Sequence, residues 1–278
     1  MTKSVNEKKL IEYSNKYLSL NEKSFLDRNG YLILKNNENY FRKNQININS
    51  IAKKIDNLIS AEGNAGGWEG REEIFKKDPK KHNDPGSYRI ANLLNKDKDF
   101  VKLISIPRVL GSLYYLMGGE FKFSASSLRE PKKNEGLQNI HIDWKPRIKS
   151  EDSFECATCY IAIDDLNSAN GSVSVIPGSH FLFDYPNEYI DISKKHPKEI
   201  SLTLKSGDIL ILNSLLWHRG NLRTNNKRRR VLFYEYRKRD LPQGLNQHKY
   251  LSEATIKTLS NFEKYLLMVG NNYKTDHF

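Results

Sequence analysis

Three residues in this chain have the types and spacing to hold a metal ion. His141 and Asp143 are separated by one residue in LQNIHID (137–143), and His218 follows much later, directly after DILILNSLLW (208–217). Two neutral imidazoles and one carboxylate on one face of an ion are the donor set of a mononuclear non-haem Fe(II) centre, which keeps positions open for a co-substrate and dioxygen. Residues two apart on a strand point to the same side, so His141 and Asp143 can converge on one ion. His218, read as ending a later strand, supplies the third donor. Arg229 stands eleven positions beyond His218, at the start of RRVLFYEYR (229–237). A guanidinium there can form a two-pronged salt bridge with the distal carboxylate of an oxo-acid. Arg228 and Arg230 are its rivals, and strand alternation puts them on the face opposite Arg229. His180, in VIPGSH, competes as third ligand, although it follows a tight turn. His82, His196, His248 and His277 fall in polar or terminal segments and are read as exposed.

The elements around these residues change character along the chain. Apolar residues at three- and four-residue spacing predict helices over Glu7–Leu18, Ile48–Ile59 and Phe100–Leu116. GNAGGWEGREE (63–73) and DPKKHNDPGSYR (78–89) are dense in Gly, Pro, Asn and Asp and read as loops of the kind that cover active sites. From Phe121 the pattern becomes a succession of β-type runs: FKFSASSL, LQNIHID, CATCYIAID, SVSVIP, ISLTL, DILIL and RRVLFYEYR. NSANG (167–171), PGS (177–179) and SGD (206–208) break them with turn chemistry. The expected fold is mainly β with flanking helices, with a double-stranded β-helix (a cupin-like jelly roll) as its core. No linker or repeat divides the chain, so one domain is expected over 1–278: a mainly helical part to 120, the jelly roll over 121–240, and a helical segment over 241–278 with a terminal helix at Glu253–Met268.

Composition narrows the function classes. With 38% hydrophobic and 28% charged residues of mixed sign, the chain reads as globular. No apolar run approaches the roughly 20 residues that span a bilayer, and the polar start MTKSVNEKKLIEYSNKYLSL has no apolar signal region, so no membrane association and a cytoplasmic location are expected. Cys156 and Cys159 form a lone CxxC that runs into a strand, where residues three apart face opposite ways; they read as ordinary strand residues. The net charge of +12 includes dense runs at Lys76–Lys77, Lys80–Lys81, Lys227–Arg230 and Arg237–Arg239. None has the interleaved aromatic residues of a nucleic-acid platform, and no nucleic-acid partner is expected.

Several stretches together resemble the phytanoyl-CoA dioxygenase family of Fe(II)- and 2-oxoglutarate-dependent oxygenases. FLDRNGYLILKN (25–36) is similar to the family's opening helix and strand, followed by FVKLISIPRVLGSLYYLMGGEF and the HIDW metal motif. IAIDDLNSANGSVSVIPGSH (161–180) looks like its acidic turn, NG dipeptide and PGSH signature, and SGDILILNSLLWHRGNLRTNNKRRRVLFYEY carries the GD turn, distal histidine and arginine. The resemblance implies iron on His141, Asp143 and His218, and 2-oxoglutarate on that iron with its far carboxylate on Arg229. It implies Tyr160 beside the co-substrate, and oxidation of a small molecule by dioxygen with release of succinate and carbon dioxide. The position two after the distal histidine is often Ser in the family and is Gly220 here. Related halogenases replace the metal-binding carboxylate with a small residue; Asp143 is present, which points to hydroxylation or another oxidation over halogenation. Trp68, Arg129, Asn139, Trp144 and Trp217 fall in segments expected near the open mouth and are candidate substrate contacts, and the basic balance favours an anionic or carrier-linked substrate. Two other classes compete: a cupin-like metal- or ligand-binding sensor without turnover, and a nucleic-acid module driven by charge.

Overall fold

The computed structural model describes residues 3–35, 37–63 and 86–270. The N-terminal part begins with α1 (Val5–Tyr17) and α2 (Leu20–Asn29). α2 is opened by a capping box in which Ser19 and Glu22 satisfy each other's backbone N–H. It ends at Gly30, whose φ of 75° is left-handed, and β1 (Tyr31–Leu34) follows at once. Gly30 is required for a second reason: a Cβ there would lie 2.6 Å from Nδ1 of His180. α3 (Glu38–Lys43) and α4 (Ile48–Glu62) come next.

β2 (Ser87–Ala91) forms where the sequence reads as loop. Its turn-rich approach hides a strand that pairs along β3 (Phe121–Pro131). The helix expected over Phe100–Leu116 is broken: a helical turn at Lys98–Val101 and a 3-10 turn at Lys102–Ser105 precede Pro107–Met117. The cause is Pro107, which forces Ile106 into an extended conformation and starts a new helix. The terminal helix is likewise two, Glu253–Thr258 and Asn261–Leu267, because Ser260 caps the second with Glu263.

β4 (Cys156–Ala162), β5 (Val173–Val175), β6 (Ile200–Ser201), β7 (Ile209–Asn213), β8 (His218–Gly220) and β9 (Val231–Lys238) complete the strands. They make a six-stranded sheet, β1-β7-β4-β9-β3-β2, and a three-stranded sheet, β6-β5-β8, in which every pairing is antiparallel. Alternation divides the large sheet into two faces. Cys159, Ile161, Ile209, Ile211, Leu232, Tyr234 and Tyr236 join the helices in one core, with Ile51, Ile55, Val109 and Leu113 against them. Tyr160, Ala162, Leu210, Leu212 and Val231 point the other way and meet Val173 and Val175 of the small sheet. Each such buried aliphatic side chain contributes roughly 1.5–3 kcal/mol. The helices therefore stiffen one face, and the opposite face is left to line the space between the sheets. Cys156 and Cys159 are both buried and unlinked, as plain strand residues. Among the described residues no single helix is long and apolar enough to cross a membrane.

Candidate active site

LQNIHID is not a ladder strand, contrary to the expectation from its pattern. It is extended chain attached to β8 by one antiparallel bridge, in which His141 and His218 exchange both backbone hydrogen bonds at 3.0 Å. His218 likewise opens β8 and does not end a strand, because Ser214–Trp217 turn the chain after β7. The bridge has the chemical effect that strand pairing was expected to have. It brings the two imidazole centroids to 4.4 Å with their planes tilted by 50°, while Asp143 is fixed by its N–H to the Ser214 carbonyl at 2.8 Å.

One donor atom each from His141, Asp143 and His218 lie within 4.8 Å of one another. Nε2 of His141 is 3.6 Å from Asp143 Oδ1, and Nε2 of His218 is 3.4 Å from Asp143 Oδ2. In both histidines Nδ1 is held by a backbone carbonyl at 2.8 Å, Asn139 for His141 and Leu216 for His218. A proton is thereby kept on Nδ1 and the Nε2 lone pair is aimed at the shared space, as in ligating histidines oriented from behind. Burial and the neighbouring His218 push His141 down to about 4, so it is neutral near pH 7. Burial works against the Asp143 charge, but His218, His141 and Arg89 outweigh it and hold the carboxyl at about 2. Burial also opposes charge on His218, and Asp143 more than offsets it. The donor set fits a divalent first-row ion.

These side chains lie in a cavity of about 380 Å³ that Tyr160, Arg129 and Arg229 also line. Tyr160 is buried, with its hydroxyl 3.3 Å from His218 Nε2 and its ring edge-on to Phe233. Arg229 is 1% exposed, and its Nε and Nη1 have no hydrogen-bond partner. Burial, with Arg129 pressing the same way, pushes it down to about 9, a measure of how strongly this charge calls for an anion. Its rivals are otherwise engaged. Arg228 forks onto Glu130 at 2.7 and 2.6 Å and reaches Asp56, and Arg230 forks onto Asp164 at 3.0 and 2.6 Å. Asn170, of the NG dipeptide, donates to the Arg228 carbonyl and steadies this entry to β9.

Other candidates separate. His180 is buried away from the triad, its Nε2 donating to the Asp27 carbonyl at 3.0 Å, so the PGSH histidine ties a loop to α2. Trp217 faces away from the cavity into a small cluster with Ile140 and Ile176, and Asn139 serves His141 through its carbonyl. Neither lines the cavity. Trp144 is not among the lining residues either; its ring lies under the Arg237 guanidinium at 4.5 Å and its Nε1 donates to Glu155. His196 accepts from the Lys198 N–H through Nδ1, and His248 lies in the helix Gln247–Tyr250. Trp68, His82 and His277 lie outside the described residues. Missing from the sequence reading are Arg89, Gln138, Thr158, Phe233, Glu235 and Arg237, which all line the cavity. The signal for three of them was present, because residues 229, 231, 233, 235 and 237 share one face of an alternating strand.

The two facing antiparallel sheets, with the helices packed on one side, define a double-stranded β-helix of the cupin-like class. The chain belongs to the phytanoyl-CoA dioxygenase family, whose profile matches residues 26–231. A comparison with curated protein sequences returned no match. Among solved structures it is similar to HygX from Streptomyces hygroscopicus with nickel and 2-oxoglutarate bound, at 14% identity and TM-score 0.56, covering 81% of this chain and 89% of that one. It is similar to SnoK, a non-heme alpha-ketoglutarate-dependent carbocyclase of nogalamycin biosynthesis, at 16% identity and TM-score 0.58, covering 89% and 92%. It is also similar to EctD from S. alaskensis in its apo form, at 17% identity and TM-score 0.60, covering 80% and 77%.

Proposed function

We propose that this chain is an Fe(II)- and 2-oxoglutarate-dependent oxygenase that hydroxylates a small molecule, with all its parts in one folded unit. One observation carries the proposal: a two-histidine, one-carboxylate set shares a cavity with a buried arginine, Arg229, whose Nε and Nη1 lack hydrogen-bond partners. In a structural role alone that arginine would be a pure cost to the fold; with a dicarboxylate it becomes half of a charge-assisted pair.

His141, Asp143 and His218 would hold the iron. When bound there with 2-oxoglutarate, Fe(II) supplies dioxygen activation coupled to decarboxylation of the oxo-acid to succinate and carbon dioxide. Arg229 receives the far carboxylate and so fixes which end of the oxo-acid faces the metal. Tyr160 closes the wall beside it, and its hydroxyl neighbours the His218 donor atom. Phe233, edge-on to Tyr160, and Val173 add apolar wall to the cavity. Asp143 keeps the third protein position filled, which supports hydroxylation over halogenation.

The test is conversion of 2-oxoglutarate to succinate by iron-loaded protein, with and without a panel of candidate metabolites, read by mass spectrometry for succinate and for a gain of one oxygen. Turnover is expected to need iron and to vanish in Asp143→Ala. The same turnover in that variant, or none in the wild type with any metabolite, counts against the proposal and returns the chain to a binding role.

A further inference from the structure

Glu235 lines the cavity and is paired in a way that leaves half of its carboxylate unused. Arg219, Arg228 and Arg230 each fork onto an acid, Glu199, Glu130 and Asp164 in turn, so that both carboxylate oxygens are taken. Arg237 instead gives Glu235 only its Nε, 2.6 Å from Oε1, and sends Nη1 to the Pro242 carbonyl at 2.9 Å. Ser124 Oγ donates to the same Oε1 at 2.6 Å and accepts the Gly244 N–H at 2.6 Å. Oε1 therefore holds two donors, while Oε2 takes no hydrogen bond from the described residues. Nor is Oε2 one of the sealed polar atoms, and the side chain keeps 21% exposure, so a ligand in the cavity can reach it.

Position along the strands ties this oxygen to the chemistry. Phe233 stands opposite Tyr160, whose hydroxyl is 3.3 Å from His218 Nε2. Glu235 is the next residue on the same face, about 7 Å further along β9, whereas Arg229 lies four residues the other way from Phe233. An oxo-acid reaching from the metal ligands toward Arg229 thus leaves the Glu235 end for the substrate. Thr158 stands directly opposite Glu235 on β4 and lines the cavity too. Its hydroxyl likewise takes no hydrogen bond from the described residues and is not sealed. The acid is also held rigidly. A Cβ at Gly244 would lie 3.0 Å from Arg237 Nη2, 3.1 Å from Ser124 Oγ and 3.2 Å from Glu235 Oε1, so glycine there lets the clamp close. A carboxylate fixed in this way loses little freedom when it binds a partner.

We propose that Glu235 and Thr158 anchor the substrate: Glu235 Oε2 accepts a hydrogen bond from an ammonium or hydroxyl group, and Thr158 Oγ1 makes a second hydrogen bond to the same group. The substrate class is a small amine or alcohol, held so that the bond to be oxidised lies on the side of His141, Asp143 and His218. An analogue without the donor leaves the carboxylate oxygen unpaired inside the cavity, which gives the pair its discrimination. This inference rests on the oxygenase proposal, since it assigns the Arg229 end of the cavity to the oxo-acid.

The test uses full-length protein loaded with Mn(II) and saturated with 2-oxoglutarate in the absence of oxygen. It follows the proton relaxation of n-butylammonium, n-butanol and butyrate, each titrated at constant ionic strength. Saturable binding, with relaxation enhanced by the ion, is expected for n-butylammonium or n-butanol and not for butyrate. Glu235→Ala should weaken the bound probe about tenfold or more and Thr158→Val about threefold or more, with 2-oxoglutarate affinity changed less than about threefold. Glu235→Gln separates the two donors: it weakens an ammonium as much as alanine does, and it keeps a hydroxyl within about threefold because an amide oxygen still accepts. Should Glu235→Ala fail to fold, the near-isosteric Thr158→Val and Glu235→Gln carry the test. Binding of neither donor probe by wild type, butyrate bound as tightly as they are, or unchanged binding in Thr158→Val or in folded Glu235→Ala overturns the inference. Failure of wild type to bind Mn(II) or 2-oxoglutarate at all instead sinks the oxygenase proposal, so the two failures are distinguishable.

Discussion

Arg229 is an unusual residue for a fold to keep, and its energetics make a two-sided prediction. A buried guanidinium without an anion destabilises the native state, whereas removing one member of a buried ion pair in a complex typically costs about 2–5 kcal/mol. Arg229→Met should therefore raise the thermal midpoint of the ligand-free protein while weakening 2-oxoglutarate binding roughly 30-fold or more. Differential scanning fluorimetry and calorimetric titration on the same samples check both signs; a lower midpoint with unchanged affinity would mean that Arg229 is only packing. The contribution of sequence is clear at this scale. His141, Asp143, His218 and Arg229 were legible because metal ligation and carboxylate binding demand particular residue types. Arg89 was not, since a charged residue beside an apparent loop looks the same whether it meets solvent or a cavity. Trp217 misled for a related reason: adjacency to His218 on an extended chain turns it to the opposite face.

Elements supply the second kind of prediction. His180 locks the 179–181 turn against the end of α2, and in the folded protein burial pushes it down to about 4. The unfolded chain, with an ordinary histidine near 6.5, takes the proton first. The contribution of neutral His180 is thus fully present above about pH 6.5 and is lost as the pH falls toward 4, by up to about 3 kcal/mol. His180→Gln keeps a donor for the Asp27 carbonyl and no longer titrates, so its thermal midpoint should fall less steeply between pH 6.5 and 4; an unchanged slope refutes the assignment. Gly30→Ala should destabilise by about 2 kcal/mol through the left-handed φ and the contact with the His180 ring, as measured by urea denaturation. α1, α4 and most of the β runs were visible in periodicity, whereas α3 and the short helices Leu93–Lys96 and Gln247–Tyr250 were not. Boundaries failed where a single residue intervened, at Pro107 and Ser260, and where pairing rather than pattern decided the outcome: β2 emerged from apparent loop, and LQNIHID lost its ladder to one bridge.

Over the whole molecule the basic balance is partly absorbed by the fold. Arg228 and Arg230 are paired with Asp56, Glu130 and Asp164, Arg237 with Glu235, and Arg239 lies over the Tyr265 ring. Two of the dense basic runs are therefore structural in large part, and binding to unrelated oligonucleotides at physiological salt is expected to be undetectable by fluorescence anisotropy. Ligands should couple to global stability in a fixed order, because the co-substrate needs the metal. Ni(II) at a hundred times its dissociation constant should add about 2.7 kcal/mol, a rise of roughly 5 °C, and 2-oxoglutarate should add a further rise only in metal-loaded protein. A crystal grown with Ni(II) and 2-oxoglutarate tests the central claim most directly. The account predicts one anomalous peak about 2.1 Å from Nε2 of His141, Nε2 of His218 and a carboxylate oxygen of Asp143, with the oxo-acid's distal carboxylate forked onto Arg229. A peak held by other residues, or a carboxylate bound away from Arg229, would contradict it.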